Sequence, residues 1–384
     1  MDRIYLDYAA TTPMDPAVIN CMYDLSKNHF GNPSSIHWPG QKSRQIVETA
    51  RKSIAGMIGA RPGEIVFSSG GTESDNLAIL GTAMANRGRG KHIITTRVEH
   101  PAVLEACRYL EKTGFDITFL KVNEDGILSL EELDRAISDD TILISVMLVN
   151  NETGVIFPIK QIGEIIRKKN ILFHCDAVQG FGKMTIDVQD LGVDLLSVSA
   201  HKIYGPKGTG ALYIKNGTRI DKTLYGGSQE AGRRPGTENV VAIGGFSEAI
   251  EQVSIQRAER NRIKNLRDGF EARLKELIPG ISVNGNKSER IFSHSNLCFP
   301  TISGENLLMN LDINGIAIST GSACSSGANR LSHVLSAMGL SEDRVKNSVR
   351  ITFGRFTKSD EIDKTIDEIR DIITRSKPGE KNDP

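Results

Sequence analysis

The chain of 384 residues carries 47 Lys plus Arg against 47 Asp plus Glu, so its formal net charge is zero. That balance offers no field of one sign to hold nucleic acid or an anionic membrane. Five cysteines, at positions 21, 107, 175, 298 and 324, include no CxxC pair, which argues against a disulfide framework or a structural zinc site. The N-terminal stretch MDRIYLDYAATTP has no apolar signal region, and no run reaches the length of a membrane span, so the expected setting is a reducing cytoplasm.

Strand and helix signals alternate from about residue 60 to 215. EIVFSS reads as a strand and is followed by a helix from Gly71 to Ala85. KHIITT is a strand, and Pro101 opens a helix to about Lys112. FDITFLKV is a strand, SLEELDRAI a capped helix, TILISVML a strand and IKQIGEIIRKK a helix. ILFHCDA, LLSVSA and GALYIK are further strands. Such alternation predicts an α/β fold, with a mostly parallel sheet covered by helices on both faces. A single long, charge-rich helical run is expected from about Val240 to Leu277. Beyond it, strands near 281–284, 295–299, 316–319 and 348–353, with helices at 304–312, 329–338 and 359–375, predict a smaller α+β domain. The polar end SKPGEKNDP is expected to be a disordered tail.

Ligands of such sheets bind at the C-terminal ends of the strands, and several strands here end in polar residues. Gly70, Gly71 and Thr72 lie between a strand and a helix, where free N–H groups and a hydroxyl suit a phosphate, or simply make a capped turn. His100 precedes the helix that starts at Pro101. The strand in TILISVMLVNNETG ends at Asn150 and Asn151. Asp176 follows ILFHC, with Gln179 three residues on; a buried acid there wants a cationic partner, or simply caps a helix or pairs with a nearby base. In DLLSVSAHKIYGPKGTG, Lys202 follows a buried strand beside His201. Lysine ammonium groups usually stay in water. A lysine in this position can instead have a lowered pKa and form a Schiff base. A phosphate site, a flat-faced histidine, a buried acid and a Schiff-base lysine together match the needs of pyridoxal phosphate, whose ring nitrogen must stay protonated for the ring to act as an electron sink.

YLDYAATTP, GNPSSIH, GGTESDNLAI, EHPAVLE, VNNETGVI, HCDAVQ, SAHKIYGPKGTG, GGSQEAGRRPGTEN, STGSACSSG and RITFGRFT follow one another over nearly the whole chain. In this the chain resembles the cysteine desulfurases of the nitrogen-fixation and iron–sulfur-cluster assembly type, class V aminotransferase relatives of fold type I among pyridoxal phosphate enzymes. The resemblance implies a large domain over 15–260 with a mostly parallel seven-stranded sheet. It implies a small α+β domain from 1–14 and 261–376, which carries a catalytic cysteine loop, and a tail over 377–384. It implies a homodimer that converts L-cysteine to L-alanine and leaves sulfur as a persulfide on an enzyme cysteine. An iron–sulfur scaffold or other acceptor would then take the sulfur.

By the same resemblance, Lys202 would be the Schiff-base lysine and Asp176 the partner of the pyridine nitrogen. Gln179 and Asn151 would lie around the ring's phenolic oxygen, and His100 would stack on the ring with a share in acid–base chemistry. Gly71, Thr72, Ser199 and His201 would bind the phosphate, with Thr237 lent by the second subunit. Arg350, with Asn151, would hold the substrate, its planar fork suiting a carboxylate. Cys324, among small polar neighbours at what reads as the tip of a mobile loop, would be the nucleophile, able to ligate a cluster transiently with a scaffold but forming no fixed metal site. Cys21, Cys107, Cys175 and Cys298 read as structural. Many relatives carry Ala at the place of Gly71, and many housekeeping ones a longer C-terminal segment. An aminotransferase of the same fold would share Lys202 and Asp176 but have no use for Cys324. A selenocysteine lyase would share the nucleophile.

Overall fold

The computed structural model describes residues 3–255, 259–321 and 331–376. The described chain opens with a two-residue strand, β1 (Ile4–Tyr5), and two helices, α1 (Pro16–Asn28) and α2 (Trp38–Ile58). Neither helix is among the sequence expectations above. Asp15 caps α1 by accepting the Ala17 N–H, with Pro16 at the first helical position.

Then come β2 (Ile65–Ser68), α3 (Gly71–Asn86), β3 (His92–Thr96), α4 (Pro101–Lys112), β4 (Asp116–Leu120), α5 (Leu130–Ala136), β5 (Thr141–Ser145), α6 (Ile159–Ile166), β6 (Leu172–Asp176), α7 (Val188–Leu191), β7 (Leu195–Ser199) and β8 (Gly210–Ile214). They build a seven-stranded sheet in the order β2-β8-β7-β6-β5-β3-β4. All neighbours pair in parallel except β8, which is antiparallel to both β7 and β2. Because β8 is flanked by two antiparallel partners, β2 runs in the same direction as β7, and Ser68 and Ser199 both face Gly210 in the register. The C-terminal ends of β2, β3, β5, β6 and β7 therefore share one edge. Residues 92–96, 141–145, 195–199 and 210–214 are buried throughout, as expected of strands covered on both faces.

The described parts of the helical run expected over 240–277 are α8 (Val240–Ile255) and α9 (Glu259–Leu277), with residues 256–258 outside the described ones. The first packs against α1 and α2. Its stretch VVAIGGF is apolar or small on every side. A Cβ on Gly244 would stand 2.3 Å from Leu25, and one on Gly245 2.7 Å from Met22, so the glycine pair admits α1 at close range.

β9 (Ser282–Val283), β10 (His294–Cys298), α10 (Gly304–Ile313), β11 (Ile316–Ala317), α11 (His333–Ala337), α12 (Glu342–Lys346), β12 (Ser348–Thr352) and α13 (Ser359–Ser376) follow. β12, β10 and β9 form a three-stranded antiparallel sheet. The helix expected over 329–338 has a described part of only His333–Ala337, and α12, capped by Ser341, was not expected. A second apolar core joins Ile4 and Leu6 to Phe270, Leu297, Val349, Ile351 and the buried face of α13. β1 pairs with β11, so the N-terminal strand belongs to this core, and the chain then crosses to the first one.

Candidate active site

The shared strand edge opens into a cavity of about 800 Å³. Gly71, Thr72, Ser199 and His201 line it on one side. His100, Asn151, Asp176, Gln179, Lys202 and Arg350 complete the sequence-predicted set that meets there. Thr237 does not line it and is exposed in the single chain. Cys324 lies outside the described residues.

The turn between β2 and α3 is built for an anion. Gly70, at φ 152°, adopts a backbone that glycine tolerates and caps α3 without a side chain. The first-turn N–H groups are thus left to a ligand at the positive end of the helix dipole. Gly210 lies beneath: a Cβ there would come within 2.7 Å of Gly70 Cα, so only glycine lets β8 approach the turn.

Asp176 ends β6 with its carboxyl buried. It accepts the Val178 N–H at 2.9 Å and makes no ion pair among the described residues. Burial pushes its pKa up to about 6, against the opposing pull of that N–H and of the Lys202 charge. Behind it lies Asp75, whose pKa is raised by burial and by the Asp176 charge. Asp75 Oδ1 stands 3.6 Å from His174 Nε2. Enclosed among Ser145, Ser197 and Asp75, His174 is held neutral, its pKa pushed down to about 3 by burial.

Lys202 Nζ donates to the carbonyls of Ala9 and Ala10 at 2.6 and 2.8 Å. These carbonyls come from the segment that crosses between the two cores, and Thr12 fixes that segment by donating to the His201 carbonyl through both N–H and Oγ. Gln179 Nε2 donates to the same Ala9 carbonyl, and its Oε1 accepts from Lys183. Burial, with the charges of Lys202 and Arg350, lowers Lys183 to about 7. His100 caps α4, its Nδ1 accepting the Ala102 N–H at 3.1 Å, and burial with the Lys202 charge holds it neutral, at about 4. His201 is lowered to about 4 by the same causes.

Arg350, on β12, reaches the cavity from the second core. Its Nη2 donates to Asp7 and its Nη1 to the Asn151 carbonyl. Its Nε and Asn151 Oδ1 are buried without a hydrogen-bond partner. Orphaned polar atoms lining a roomy cavity are what a missing polar ligand leaves. Sequence reasoning did not single out Asp7, Asp75, Glu99, Lys183 or the Ala9 and Ala10 carbonyls. The stretch containing Asp7, Ala9 and Ala10 entered only through the likeness to a family. No periodicity places a backbone carbonyl against a lysine 193 residues away. The buried Cys107 and Cys175 belong to apolar clusters, and burial lifts the Cys107 thiol to about 12.

The profile of the aminotransferase class-V family matches residues 4–365. The chain belongs to that family, on its cysteine desulfurase branch. It is 48% identical over 374 residues to the cysteine desulfurase IscS of Dictyoglomus turgidum, covering 97% of this chain and 95% of that protein. It is 48% identical over 377 residues to the putative cysteine desulfurase IscS 1 of Bacillus subtilis, covering 98% of this chain and 100% of that one. Among solved structures, a NifS-like protein superposes with a TM-score of 0.91 at 35% identity, covering 97% of this chain and 100% of its own. SspA in complex with cysteine does so with a TM-score of 0.81 at 36% identity, covering 92% and 100%. The fold is that of the pyridoxal phosphate enzymes of type I, and the family depends on that cofactor. The cavity suits it: a buried acid that makes no ion pair among the described residues, a helix N-terminus free of a side-chain cap, and a lysine at the same strand edge.

Proposed function

We propose that this protein is a pyridoxal phosphate-dependent cysteine desulfurase, which takes sulfur from L-cysteine, releases L-alanine and passes the sulfur through a persulfide on Cys324 to an acceptor for iron–sulfur cluster assembly. The observation that carries the reading is the meeting of Lys202, Asp176 and Arg350 in one cavity, in a chain nearly half identical to cysteine desulfurases over almost its full length.

When bound, the cofactor would supply a sink for the electron pair left at the amino acid's Cα. In this reading Lys202 holds its aldehyde and, once displaced by substrate, moves the proton at Cα; positioned transfer of this kind contributes roughly 10²–10⁴ in rate. Asp176 keeps the ring nitrogen protonated, Asn151 and Gln179 face its phenolic oxygen and His100 covers the ring and shares in the proton transfers. Gly71, Thr72, Ser199 and His201 take the phosphate, with Thr237 of a second subunit. Arg350 and Asn151 orient the substrate. Cys324 as thiolate forms an S–S bond to the substrate sulfur while the Cβ–S bond breaks. The electron pair stays with the three-carbon fragment, which takes up a proton and leaves as alanine.

The chain is read as a homodimer acting in the cytoplasm, with its large unit over 15–260 and its small one formed by 1–14 and 261–376. Exposed Phe30, Ile36, Trp38 and Tyr225 support a subunit contact. No helix of the described residues is long and apolar enough to cross a membrane. The purified protein given L-cysteine and a reductant should yield alanine and sulfide in equal amounts, and Cys324→Ala should yield neither. Alanine formation by that variant at the wild-type rate would refute the persulfide route.

A further inference from the structure

We propose that Glu152 is a positioning residue for the sulfur-accepting step, a buried clip that holds together the two ends of the segment in which Cys324 lies. The proposal rests on the reading that Cys324 accepts the sulfur.

Glu152 follows Asn151 directly. Asn150 turns the chain there: its Oδ1 accepts the N–H groups of Glu152 and Thr153 at 3.0 and 2.9 Å, and its Nδ2 donates to the Val98 carbonyl. The turn sends the Glu152 side chain inward, where the residue is 1% exposed. There Oε2 accepts the hydroxyl of Ser332 at 2.5 Å. Ser332 in turn accepts the Leu335 N–H and so starts α11. The same carboxyl backs onto Gly321: a Cβ on that residue would stand 2.5 Å from Glu152 Oε2, and its φ of 83° is in the left-handed region. One carboxyl therefore touches the last described residue before Cys324 and the second described residue after it.

The anchors are tied to the substrate side as well. Ser319 exchanges backbone hydrogen bonds with Arg350, and its Oγ accepts the Gly321 N–H. Arg350 Nη1 donates to the Asn151 carbonyl. His333, next to Ser332, lies 2.9 Å through Nε2 from the Glu99 carbonyl. The guanidinium read as the substrate clamp and the stem of the cysteine segment thus share one network. A position three residues past Gly321 lies within about 11 Å of it by chain length alone, so fixing Gly321 limits where a thiol at position 324 can be. The carboxyl makes no ion pair among the described residues, and burial raises its pKa, with the Ser332 hydroxyl and the more distant His333 and Arg350 charges acting the other way. A neutral acceptor of the same shape should therefore do the same task.

The test uses the holoenzyme and two reactions. Exchange of the α-hydrogen of L-alanine with solvent deuterium needs Lys202 and no thiol; desulfuration of L-cysteine needs both. Glu152→Ala should slow desulfuration and single-turnover persulfide labelling of Cys324 by about 10- to 100-fold, with α-hydrogen exchange within about twofold of wild type. Glu152→Gln should recover most of the lost rate, and trypsin should cut after Arg330 faster in Glu152→Ala than in either. If Glu152→Ala does not fold, Gly321→Ala, which pushes a methyl into the carboxyl, should give the same split. Equal losses in both reactions, or no loss in either, would overturn the clip. Wild-type desulfuration by Cys324→Ala would overturn the reading beneath it, whatever the Glu152 variants do.

Discussion

Arg350 Nη2 lies 2.7 Å from Asp7 Oδ1, joining β12 to the segment just after β1, and both side chains are largely buried. With Nη1 on the Asn151 carbonyl, the guanidinium is held from two sides while Nε is buried without a hydrogen-bond partner among the described residues, and in the proposed function the fork would meet the substrate's carboxylate. A planar fork is useful only while its plane is fixed. Asp7→Asn should therefore raise KM for L-cysteine by about tenfold and change kcat much less, since it loosens a ground-state contact. Arg350→Lys should raise KM further. An unchanged KM in Asp7→Asn, measured by steady-state alanine release, would show that Asp7 does not hold the clamp.

Glu99 sets a pH dependence of stability. Its carboxyl accepts the Met147 N–H and the Thr96 hydroxyl and is wholly enclosed. Burial lifts its pKa from 4.5 to about 8. Between those values the fold keeps a proton that the unfolded chain has released. Stability from this group is thus full below about pH 4.5 and is lost as pH rises through 8. Glu99→Gln removes the dependence. In the cofactor-free protein, the melting temperature of the variant relative to wild type should climb steadily from pH 5 to pH 8. Subtracting the two curves cancels the neutral histidines, whose lowered pKa values act in the opposite direction, costing stability as pH falls below 6.5. A flat difference would mean that Glu99 is ionised in the fold.

The strands of the large sheet were legible because 92–96, 141–145 and 195–199 are short apolar runs ending in polar residues, and in a parallel sheet those ends share an edge. Nine predicted site residues meet in one cavity for that reason, and Arg350 joins them from β12 of the other sheet. What stayed hidden depends on contacts between distant segments. The packing of α8 on α1 was not legible, because hydropathy does not show that Gly244 and Gly245 press against Leu25 and Met22. Asp7 acts on Arg350 across most of the chain, and Ala9 and Ala10 act on Lys202 across half of it. Glu152 reads as an ordinary turn acid until Gly321 and Ser332 are seen on either side of it.

Gly71 opens α3, and the neighbour that matters is Val178. A Cβ at position 71 would stand 2.8 Å from Val178 Cγ2. Valine is stiff at χ1, so either the helix start or the turn after Asp176 must move. Both lie at the cavity. Gly71→Ala should weaken cofactor binding several-fold and cost about 1–3 kcal/mol of stability, as overpacking does. Val178→Ala in the same chain should restore both, since it removes the methyl groups in the way. Cofactor titration of the four proteins of this cycle decides the matter: a double variant no better than Gly71→Ala would show that the glycine is needed for its backbone, not for space.

Thr237 offers a test of the proposed dimer. It is exposed and lies apart from the cavity of its own chain, so a phosphate contact from it must come from another subunit. Thr237→Ala should raise the cofactor concentration needed for half-maximal activity, and Lys202→Ala should be inactive at any concentration. In a mixed dimer of the two, one site combines Lys202→Ala with the partner's Thr237→Ala and is dead. The other combines an intact Lys202 with an intact threonine from the neighbouring subunit and is whole. After subunit exchange at limiting cofactor, activity should rise above that of either parent, with the cofactor requirement of the new activity equal to wild type. If Thr237 served its own chain, every site with Lys202 would still lack the threonine, and mixing would give no activity at the wild-type cofactor requirement. Activity across the mixing ratio, read at two cofactor concentrations, separates the two arrangements.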